Sequence, residues 1–455
     1  MINKQSLIIN DVIARRKKGS ALIFTLVVIA VAGIVFTSLI QYVSGQLRYS
    51  QHTVKQEETL NIAEAGIHFY RWYIAHNVDG LTPAQVEAFW ENTLPYPHGV
   101  NAPYEVDYEG IGKYRIEVTP PEPGSTSVVV KSTGWTYKDP ALTRTIQVRL
   151  RRPAWCEYVI FSNSNIDVPN GTETFGKVHS NGGVRFQGVA HNIVSSAVPT
   201  YTYGAASKAG VWTSWANEYN TSMSNSVFLG GKDIGIGEED FDGVIVNFNQ
   251  MFTEAQSLGF SWGSAAQGHQ IVLKGNVFDI FKMTGAAVNA DGTVKDSKKQ
   301  TVALNVPLPN VAVIYVGKNI WVEGTLGSGK RLTLSTIHSG TNKGNIYLSK
   351  DIRYANYTSH SVLGLAAEGN IEIVKGSSNN LHIDAVLLAQ EGSVWRLDTS
   401  AKNSLEIYGA IAVNQDYGFN GYSTVNLTFD NSLIYYPPPF FPTKNEYVLD
   451  LWEEL

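Results

Sequence analysis

The sequence has a single cysteine, Cys156, among its 455 residues. One cysteine cannot form an internal disulfide, and it cannot supply the paired thiolates of a CxxC-type zinc site. A basic excess is also missing, because 35 Lys and Arg residues stand against 40 Asp and Glu residues and give a formal net charge of −5. The whole chain therefore lacks the charge that nucleic-acid binding requires. We expect no nucleic-acid partner, no metal centre and no cofactor.

Charged residues make up only 16% of the chain, whereas hydrophobic residues make up 44%. A chain of this hydrophobicity can bury a core, which excludes a disordered protein. Its 41 glycines and 23 tyrosines, with many Asn, Ser and Thr residues, favour β structure with many turns. At about 150 residues per domain, the length indicates two or three domains or one elongated array.

The N-terminal segment lacks proline before Pro83 and lacks charge between Lys18 and Arg48. Residues 21–40 are apolar apart from three hydroxyl side chains. Twenty helical residues span about 30 Å, the thickness of the hydrocarbon core of a bilayer. A basic run at 15–18 precedes them, so we expect a cytoplasmic N-terminus and an extracytoplasmic body. Near-helical apolar spacing extends the predicted helix to about residue 76.

Two alternatives remain for this segment. A cleaved secretory signal has a shorter apolar region, and only a weak small-residue site at 44–46 follows the span. A simple membrane anchor for an external domain has the same length and composition.

Lys17, Lys18 and Gly19, followed by the apolar run at 20–27, resemble a type IV prepilin leader and the start of a mature pilin helix. The Asn-Ile-Ala-Glu-Ala-Gly stretch at 61–66 is similar to that of PilX-like minor pilins. In that family a membrane-bound aspartyl peptidase cuts after the glycine and methylates the new amine. The resemblance covers the leader and the whole predicted helix, and it implies a cut between Gly19 and Ser20.

Phe24 occupies the fifth mature position, where major pilins carry a glutamate. That glutamate neutralises the N-terminal amine of a neighbouring subunit in the filament core, where an unpaired charge is costly. The resemblance therefore implies a minor, priming or tip subunit rather than the repeating one. Its filament contacts would use residues 21–40, in which small residues such as Ala30 and Gly33 allow close packing.

Four alternating segments between residues 104 and 150 predict β-strands, and a short helix precedes them. Four strands on a long N-terminal helix resemble the head of a pilin. We expect five units: a leader at 1–19, a transmembrane and amphipathic helix at 20–76, a small pilin-like β domain at 77–152, a β-rich body at 153–430 and a proline-rich C-terminal strap at 431–455.

Short β runs recur in the body behind glycine, at intervals of 27, 25 and 23 residues, beginning at Gly317, Gly344, Gly369 and Gly392. A second series repeats after 24 residues, at 384–389 and 408–413. Such a period is typical of a parallel β-solenoid, in which residues such as Ile371 point inward and Gly-Asn pairs form corners at positive φ. A β-sandwich is the alternative. The expected fold class is mainly β with one long N-terminal transmembrane helix.

Residues 324–331 nearly match a phosphate-binding loop. Arg331 replaces the required Ser or Thr, and a strand follows where a helix is needed, so we expect a hairpin turn. Carboxylates are densest at 233–242. Weak calcium binding is one interpretation of this cluster, and the start of a helix near residue 241 is the simpler one.

Polysaccharide lyases and hydrolases on β-solenoids need paired carboxylates along one face. The sequence offers unpaired candidates only: His179, Asp279, Asp351, Glu368 and Asp384. An aromatic region could bind sugar or simply pack as an insertion; it comprises Tyr201, Tyr203, Trp212 and Trp215. We therefore expect no enzyme. A membrane-anchored extracellular carbohydrate-active enzyme is the alternative.

The expected function is that of a minor pilin-like, membrane-anchored surface protein in type IV pilus assembly or tip structure, with adhesion as one task. Its expected partners are other pilins or pilus assembly proteins, the prepilin peptidase, the membrane and surface carbohydrate.

Overall fold

The computed structural model describes residues 5–78, 81, 83–92, 94–122, 125–153, 157–214, 226–241, 248–337, 343–441 and 447–455. Within these ranges side chains are described except at 5–20, 83, 84 and 87. Cys156, Trp215 and Asp242 lie outside the described residues. The described chain forms one long helix, a small antiparallel sheet and a large β-rich body.

Helix α1 spans Gln5–Val78 and contains 74 residues. Its apolar part is long and hydrophobic enough to cross a membrane, with a mean hydropathy of 2.7 over a window of which 0% is buried. Hydroxyl groups in this part bond back to the helix: Thr25 donates to the Ala21 carbonyl at 2.5 Å, and Thr37 donates to the Gly33 carbonyl at 2.8 Å. Because both hydroxyl groups already bond to a carbonyl of the helix, neither requires a hydrogen bond to water, as is needed for a helix in lipid.

The C-terminal quarter of α1 packs against a small head domain. This domain contains the short helix α2 (Pro83–Glu91) and the antiparallel strands β1 (Tyr104–Tyr108), β2 (Gly112–Thr119), β3 (Ser127–Thr136) and β4 (Asp139–Arg151). Ile62, Ile67, Tyr70 and Ile74 of α1 are buried in its core. The expected helix and four-stranded head are both present.

Glycine brings the helix and the sheet into close contact. A Cβ at Gly134 would lie 2.5 Å from the Ala63 nitrogen and 2.5 Å from the Thr59 oxygen. A Cβ at Gly66 would lie 2.4 Å from the Ser132 hydroxyl. The stretch at 61–66 therefore forms the helix–sheet contact, and Gly66 allows this approach although glycine weakens an isolated helix.

The C-terminal segment ends in the head rather than along the body. Strand β31 (Val448–Glu454) pairs antiparallel with β4 and gives the sheet order β1-β2-β3-β4-β31. Arg149 and Arg151 pair with Asp450 at 2.6 and 3.4 Å. Among the described residues of this segment, Leu433 and Phe441 are buried in the core of the body.

The described residues of the first part of the body form short strands: β5 (Ile160–Ser162), β6 (Ile166–Val168), β7 (Thr172–Phe175), β8 (Val178–Ser180), β9 (Val184–Phe186), β10 (Val189–Ala190), β11 (Val194–Ser196), β12 (Thr200–Tyr203), β13 (Ala206–Ala209), β14 (Val211–Trp212) and β15 (Lys232–Ile234).

The second part begins with helix α3 (Phe248–Ser257). It continues with β16 (Ser261–Trp262), β17 (Gly268–Gly275), β18 (Val277–Met283), β19 (Lys299–Pro307), β20 (Val311–Gly317), β21 (Ile320–Leu326), β22 (Arg331–Ile337), β23 (Ile346–Tyr354), β24 (Val362–Ala367), β25 (Ile371–Ile373), β26 (Asn380–Ala389), β27 (Val394–Arg396), β28 (Lys402–Val413), β29 (Tyr417–Phe419) and β30 (Tyr422–Phe429). Among the described residues, 3₁₀ turns lie at Asp296–Lys298 and Asn431–Ile434.

Most neighbouring strands of the body are parallel. One ladder runs through β20, β22, β24, β26 and β28, and another through β21, β23, β25, β27 and β29. The glycine-led repeats fall in the second ladder, where Ile371 pairs with Ile346 on one side and with Val394 on the other. The repeat in the sequence therefore marks in-register parallel neighbours.

The Gly-Asn corners have a different cause from the one expected. Asn345 accepts a hydrogen bond from the Asn370 backbone N–H at 2.7 Å, and Asn370 accepts one from the Ser393 N–H at 2.9 Å. A Cβ at Gly369 would lie 2.4 Å from the Asn345 side-chain oxygen. Glycine is needed there for space beside the asparagine ladder, and its φ is not positive, contrary to expectation.

The chain enters the body beside the strand at which it ends. Strand β5 pairs with β28 and continues the ladder through β8, β11 and β15, while β30 pairs with β7. We call this junction, β28–β5 and β30–β7, the seam. The first and last parts of the body therefore form neighbouring parallel strands although they lie at opposite ends of the body's sequence.

One local prediction in the body is wrong. Residues 324–331 form a corner rather than a hairpin, because β21 pairs with β17 and β23 whereas β22 pairs with β20 and β24.

Candidate functional site

The predicted processing and filament residues all lie in α1. Gly19 and Ser20 are helical, within the part for which only the backbone is described. Phe24 is 71% exposed, and Ala30 and Gly33 are also exposed. Apart from the backbone of its own helix, no described atom lies within 4 Å of the position that a Cβ at Gly33 would take. The surface predicted for filament packing is therefore uncovered in this chain.

A second candidate site lies across the seam, on the outer side of four parallel strands. It is a pocket of about 400 Å³, which we call the ladder pocket, lined by Phe175, Tyr357, His382, Glu406, Ile407, Tyr408, Asn426 and Thr428. A volume of this size is within the range of small-molecule sites in proteins.

Strand register arranges the polar and aromatic side chains of the ladder pocket in two rows. The strands β26, β28, β30 and β7 place one residue each in the first row: His382, Glu406, Asn426 and Glu173. The second row is Asp384, Tyr408, Thr428 and Phe175. The residues between the rows, such as Ile383 and Leu427, are buried in the core, since successive side chains of a strand point to opposite faces.

His382 lies between two carboxylates. Its Nε2 is 2.6 Å from Asp384 Oδ1, and its Nδ1 is 2.9 Å from Glu406 Oε2. Because a carboxylate only accepts, both ring nitrogens must donate, which describes the protonated imidazolium. The hydrogen bond to Asp384 raises the pKa of His382; burial opposes this, and the charge of Asp384 and the bond to Glu406 add to it.

Asp384 fixes the geometry of the pocket from beneath. The residue is fully buried, and its Oδ2 accepts from the Tyr354 N–H at 2.7 Å and from the Tyr357 hydroxyl at 2.9 Å. Burial, followed by the bond to Asp384, raises the pKa of Tyr357 to about 12. Tyr357 therefore remains a hydrogen-bond donor at neutral pH, and its hydroxyl is bonded to Asp384 of β26.

The paired imidazolium predicts a pH-dependent stability. We expect His382→Gln to cost about 2 kcal/mol of unfolding free energy at pH 5.5, because two charge-assisted hydrogen bonds are lost. The folded pKa lies above the unfolded value of about 6.5. The stabilisation is therefore complete below about pH 6.5 and is lost as the pH rises through the folded pKa.

Thermal midpoints of the full-length protein and His382→Gln, measured between about pH 5 and pH 9, test this prediction. The difference between them should narrow as the pH rises. His68→Gln, at an exposed histidine of α1, is the matched control and should give a small difference at every pH. A constant difference for His382→Gln would show that the imidazolium does not stabilise the fold.

None of the five catalytic candidates is among the residues that line the ladder pocket. Two of them contact its residue His382: Asp384 binds the ring, and Asp351 accepts from the backbone N–H at 3.1 Å. The other three are His179, Asp279 and Glu368. Of these, His179 is fully buried, and its ring nitrogens are 2.9 Å from the Ser195 hydroxyl and 3.2 Å from the Asn181 side-chain oxygen.

The aromatic region near residue 200 is largely closed by its own contacts. The Trp212 indole donates to the Tyr201 hydroxyl at 2.8 Å, and the Trp212 and Tyr203 rings are 5.2 Å apart. The Arg185 guanidinium lies 5.3 Å from the Tyr203 ring, and the Lys208 ammonium lies 4.9 Å from the Trp212 ring. These contacts favour the interpretation as a packed insertion over an open sugar site.

The segment at 324–331, which resembles a phosphate-binding loop, has a structural role through Arg331. Arg331 is 6% exposed, and its guanidinium donates to the Pro437 carbonyl at 2.5 Å. Thr333 donates to the Pro439 carbonyl at 2.6 Å. The arginine that breaks the motif thus holds the proline strap on the body.

The predicted helix near 241–258 overlaps α3, whose described part is Phe248–Ser257. In the acidic cluster, Asp233 lies in β15 and Glu239 accepts from the Tyr158 hydroxyl at 3.1 Å. Residues 242–247, which join the cluster to α3, lie outside the described residues. Among the described residues, no group of three or more His, Cys, Asp or Glu side chains could hold a metal ion.

No motif in the sequence singles out His382 and Glu406, although their spacing indicates that they are equivalent positions. They are 24 residues apart, the same interval as the repeated segments that begin at Asp384 and Tyr408. Phe175 had no such signal, because it reaches the pocket only through the seam.

Comparison with known proteins shows a distant structural similarity. No family model matches the chain. No curated protein matches it either. The chain is similar to the crystal structure of the competence-associated pilin ComZ from Thermus thermophilus, with 11% sequence identity and a TM-score of 0.32. The similarity covers 88% of this chain and 97% of the ComZ chain.

Proposed function

We propose that the chain is a minor pilin-like, membrane-anchored surface protein that takes part in type IV pilus assembly or tip structure and displays its body for adhesion. One observation carries the proposal. A single helix, α1, has an exposed apolar N-terminal part and a C-terminal part that forms the core of a β-sheet head. This is the arrangement that a subunit needs when it shares a membrane-derived helix with a filament and holds its head outside.

The proposal includes processing and partners. A prepilin peptidase cuts between Gly19 and Ser20 and methylates the new amine. Other pilins or assembly proteins pack against the apolar face, using the small residues Ala30 and Gly33. Phe24 replaces the carboxylate of a repeating subunit, which suits a position at a tip or in a priming complex.

We also propose that the body is a parallel β-solenoid. The parallel ladders and their regular register, with pairs such as Ile320↔Ile346 and Ile371↔Val394, support this architecture. A solenoid gives a displayed surface that lengthens with each added coil.

Filament fractions test the proposed function. The protein should co-purify with surface filaments sheared from cells and should be scarce relative to the major pilin. Phe24→Glu should change its incorporation, because it adds a carboxylate where no neighbouring amine needs one. Phe24→Leu, which stays apolar, is the matched control and should leave incorporation unchanged. A protein that stays with the membrane while filaments are removed, and whose deletion leaves the number of filaments unchanged, would contradict the proposal.

A carbohydrate-active enzyme on a simple anchor is the second candidate, and the ladder pocket favours it because His382 lies between Asp384 and Glu406. Saccharide turnover that is lost in Glu406→Gln would support this candidate. Against it, the Asp384 carboxylate is fully buried and engaged by three donors, so it cannot touch a substrate.

A further inference from the structure

The ladder pocket combines exposed aromatic rings with a mixed polar surface. Tyr357 is 51% exposed and Phe175 is 42% exposed, which is unusual for such large apolar rings beside a pocket. Glu406, whose side chain is 52% exposed, lies between them on the neighbouring strand, with Asn426 and Thr428 beside it. The pocket thus offers ring faces together with hydrogen-bond donors and acceptors.

The aromatic rings are held in place before any ligand arrives. The Tyr357 hydroxyl is anchored on Asp384, and its ring lies 5.3 Å from the Tyr408 ring at an interplanar angle of 89°. The Phe175 ring stacks on His191 with a centroid distance of 4.2 Å. Rigid side chains reduce the entropy that a ligand must overcome on binding.

The pocket extends across the strands rather than into the core. Three steps from β26 to β7, each of about 4.8 Å, give a length of about 14 Å. That length fits a short chain of sugar rings better than a single compact group. The polar rows repeat along the same direction, so successive rings of an oligosaccharide would meet similar surroundings.

The charges of the pocket argue against an anionic ligand. His382 neutralises part of the charge of Asp384 and Glu406, Arg353 pairs with Asp351 at 3.0 Å, and Glu173 adds a carboxylate to the first row. The charge that remains is negative and repels an anion, whereas a polar ligand without net charge is not repelled. A sugar ring has an apolar face for Tyr357 and Phe175, and its hydroxyl groups can bond to Glu406 and Asn426.

We propose that the ladder pocket binds a neutral oligosaccharide, with sugar rings against Tyr357 and Phe175 and hydroxyl groups on Glu406 and Asn426. Because Phe175 belongs to the first part of the body and the other residues to the second, the site exists only when the seam is closed. A neutral oligosaccharide would be the ligand of the body that the proposed pilin-like protein displays. Only this location at the cell surface rests on the proposed function.

The test uses the full-length protein in a zwitterionic detergent that carries no sugar headgroup. Cellotriose, maltotriose and chitotriose are the neutral probes, trigalacturonate is the anionic probe and choline is the cationic probe, and binding is measured by isothermal titration calorimetry and saturation-transfer NMR. We expect at least one neutral trisaccharide to bind, and its affinity to fall about tenfold or more in Tyr357→Ala and in Phe175→Ala. Tyr357→Phe, which keeps the ring, should lose less than Tyr357→Ala.

Tyr137→Ala is the control, because this head tyrosine is 47% exposed and lies outside the pocket; it should bind as the native protein does. Near-UV circular dichroism verifies that each variant is folded, and Phe175→Ala serves if Tyr357→Ala does not fold. Binding of choline or trigalacturonate alone, binding of none of the probes, or unchanged affinity in both variants would overturn the inference. Loss of filament association with saccharide binding intact would count against the proposed function instead.

Discussion

Ile371→Asp should lower the thermal midpoint of the protein by roughly 6–12 °C, which corresponds to about 3 kcal/mol or more. Ile371 is fully buried in β25, where it pairs with Ile346 on one side and Val394 on the other. A carboxylate at this position would lie among the apolar side chains of the body's core, away from water. Because β25 pairs with a strand on each side, it cannot move the charge to solvent without opening two strand interfaces.

Near-UV circular dichroism of the full-length protein in detergent gives the midpoint for this test. Thr424→Asp is the matched control, because Thr424 is exposed on β30 and is likewise in register with its neighbour, Ser404. The control should change the midpoint by no more than a degree or two. An equally small effect of Ile371→Asp would show that the assignment of the inward face is wrong.

Arg396→Met should destabilise the protein by about 3 kcal/mol. The Arg396 side chain is fully buried. One of its guanidinium nitrogens donates to the backbone carbonyls of Asp398, Ser400 and Asn420, the last at 2.5 Å. Methionine fills a similar volume but leaves these three oxygens without their donor, so the loops after β27 and β29 lose their common anchor.

Arg353→Met is the control for this substitution. Arg353 pairs with Asp351 at 3.0 Å, but its side chain is 45% exposed, and such surface pairs contribute about 1 kcal/mol or less. Urea unfolding should separate the two variants clearly. Equal midpoints would show that the buried guanidinium does not hold the loops together.

The elements with local signals were predictable from the sequence. An apolar run without charge or proline predicts α1, and alternation over residues 104–150 predicts the strands of the head. The recurring Gly-Asn pairs predict which strands of the body are equivalent, because the strands that follow them are parallel neighbours in register. The asparagine ladder explains this repeat better than backbone conformation does.

The features that depend on distant pairing could not be predicted. Strand β31 completes a sheet whose previous strand, β4, precedes the whole body in the sequence. Ion pairs of Asp450 with Arg149 and Arg151, and of Glu454 with Arg144, join the two strands. The seam pairs β5 with β28 and β7 with β30. Phe175 therefore lies next to Thr428, although no repeat in the sequence relates the two residues. The sequence therefore indicates one feature of the ladder pocket, which is the regular interval between His382 and Glu406.

The residue that begins the mature chain tests the central proposal most directly. Mass spectrometry of the protein isolated from its membrane should find Ser20 at the N-terminus with a methylated amine. Gly19→Val should leave the leader with Lys17 and Lys18 attached, because the peptidase site admits a residue without a side chain. An intact Met1, or a cut beyond Gly45, would contradict the prepilin assignment and leave a simple membrane anchor.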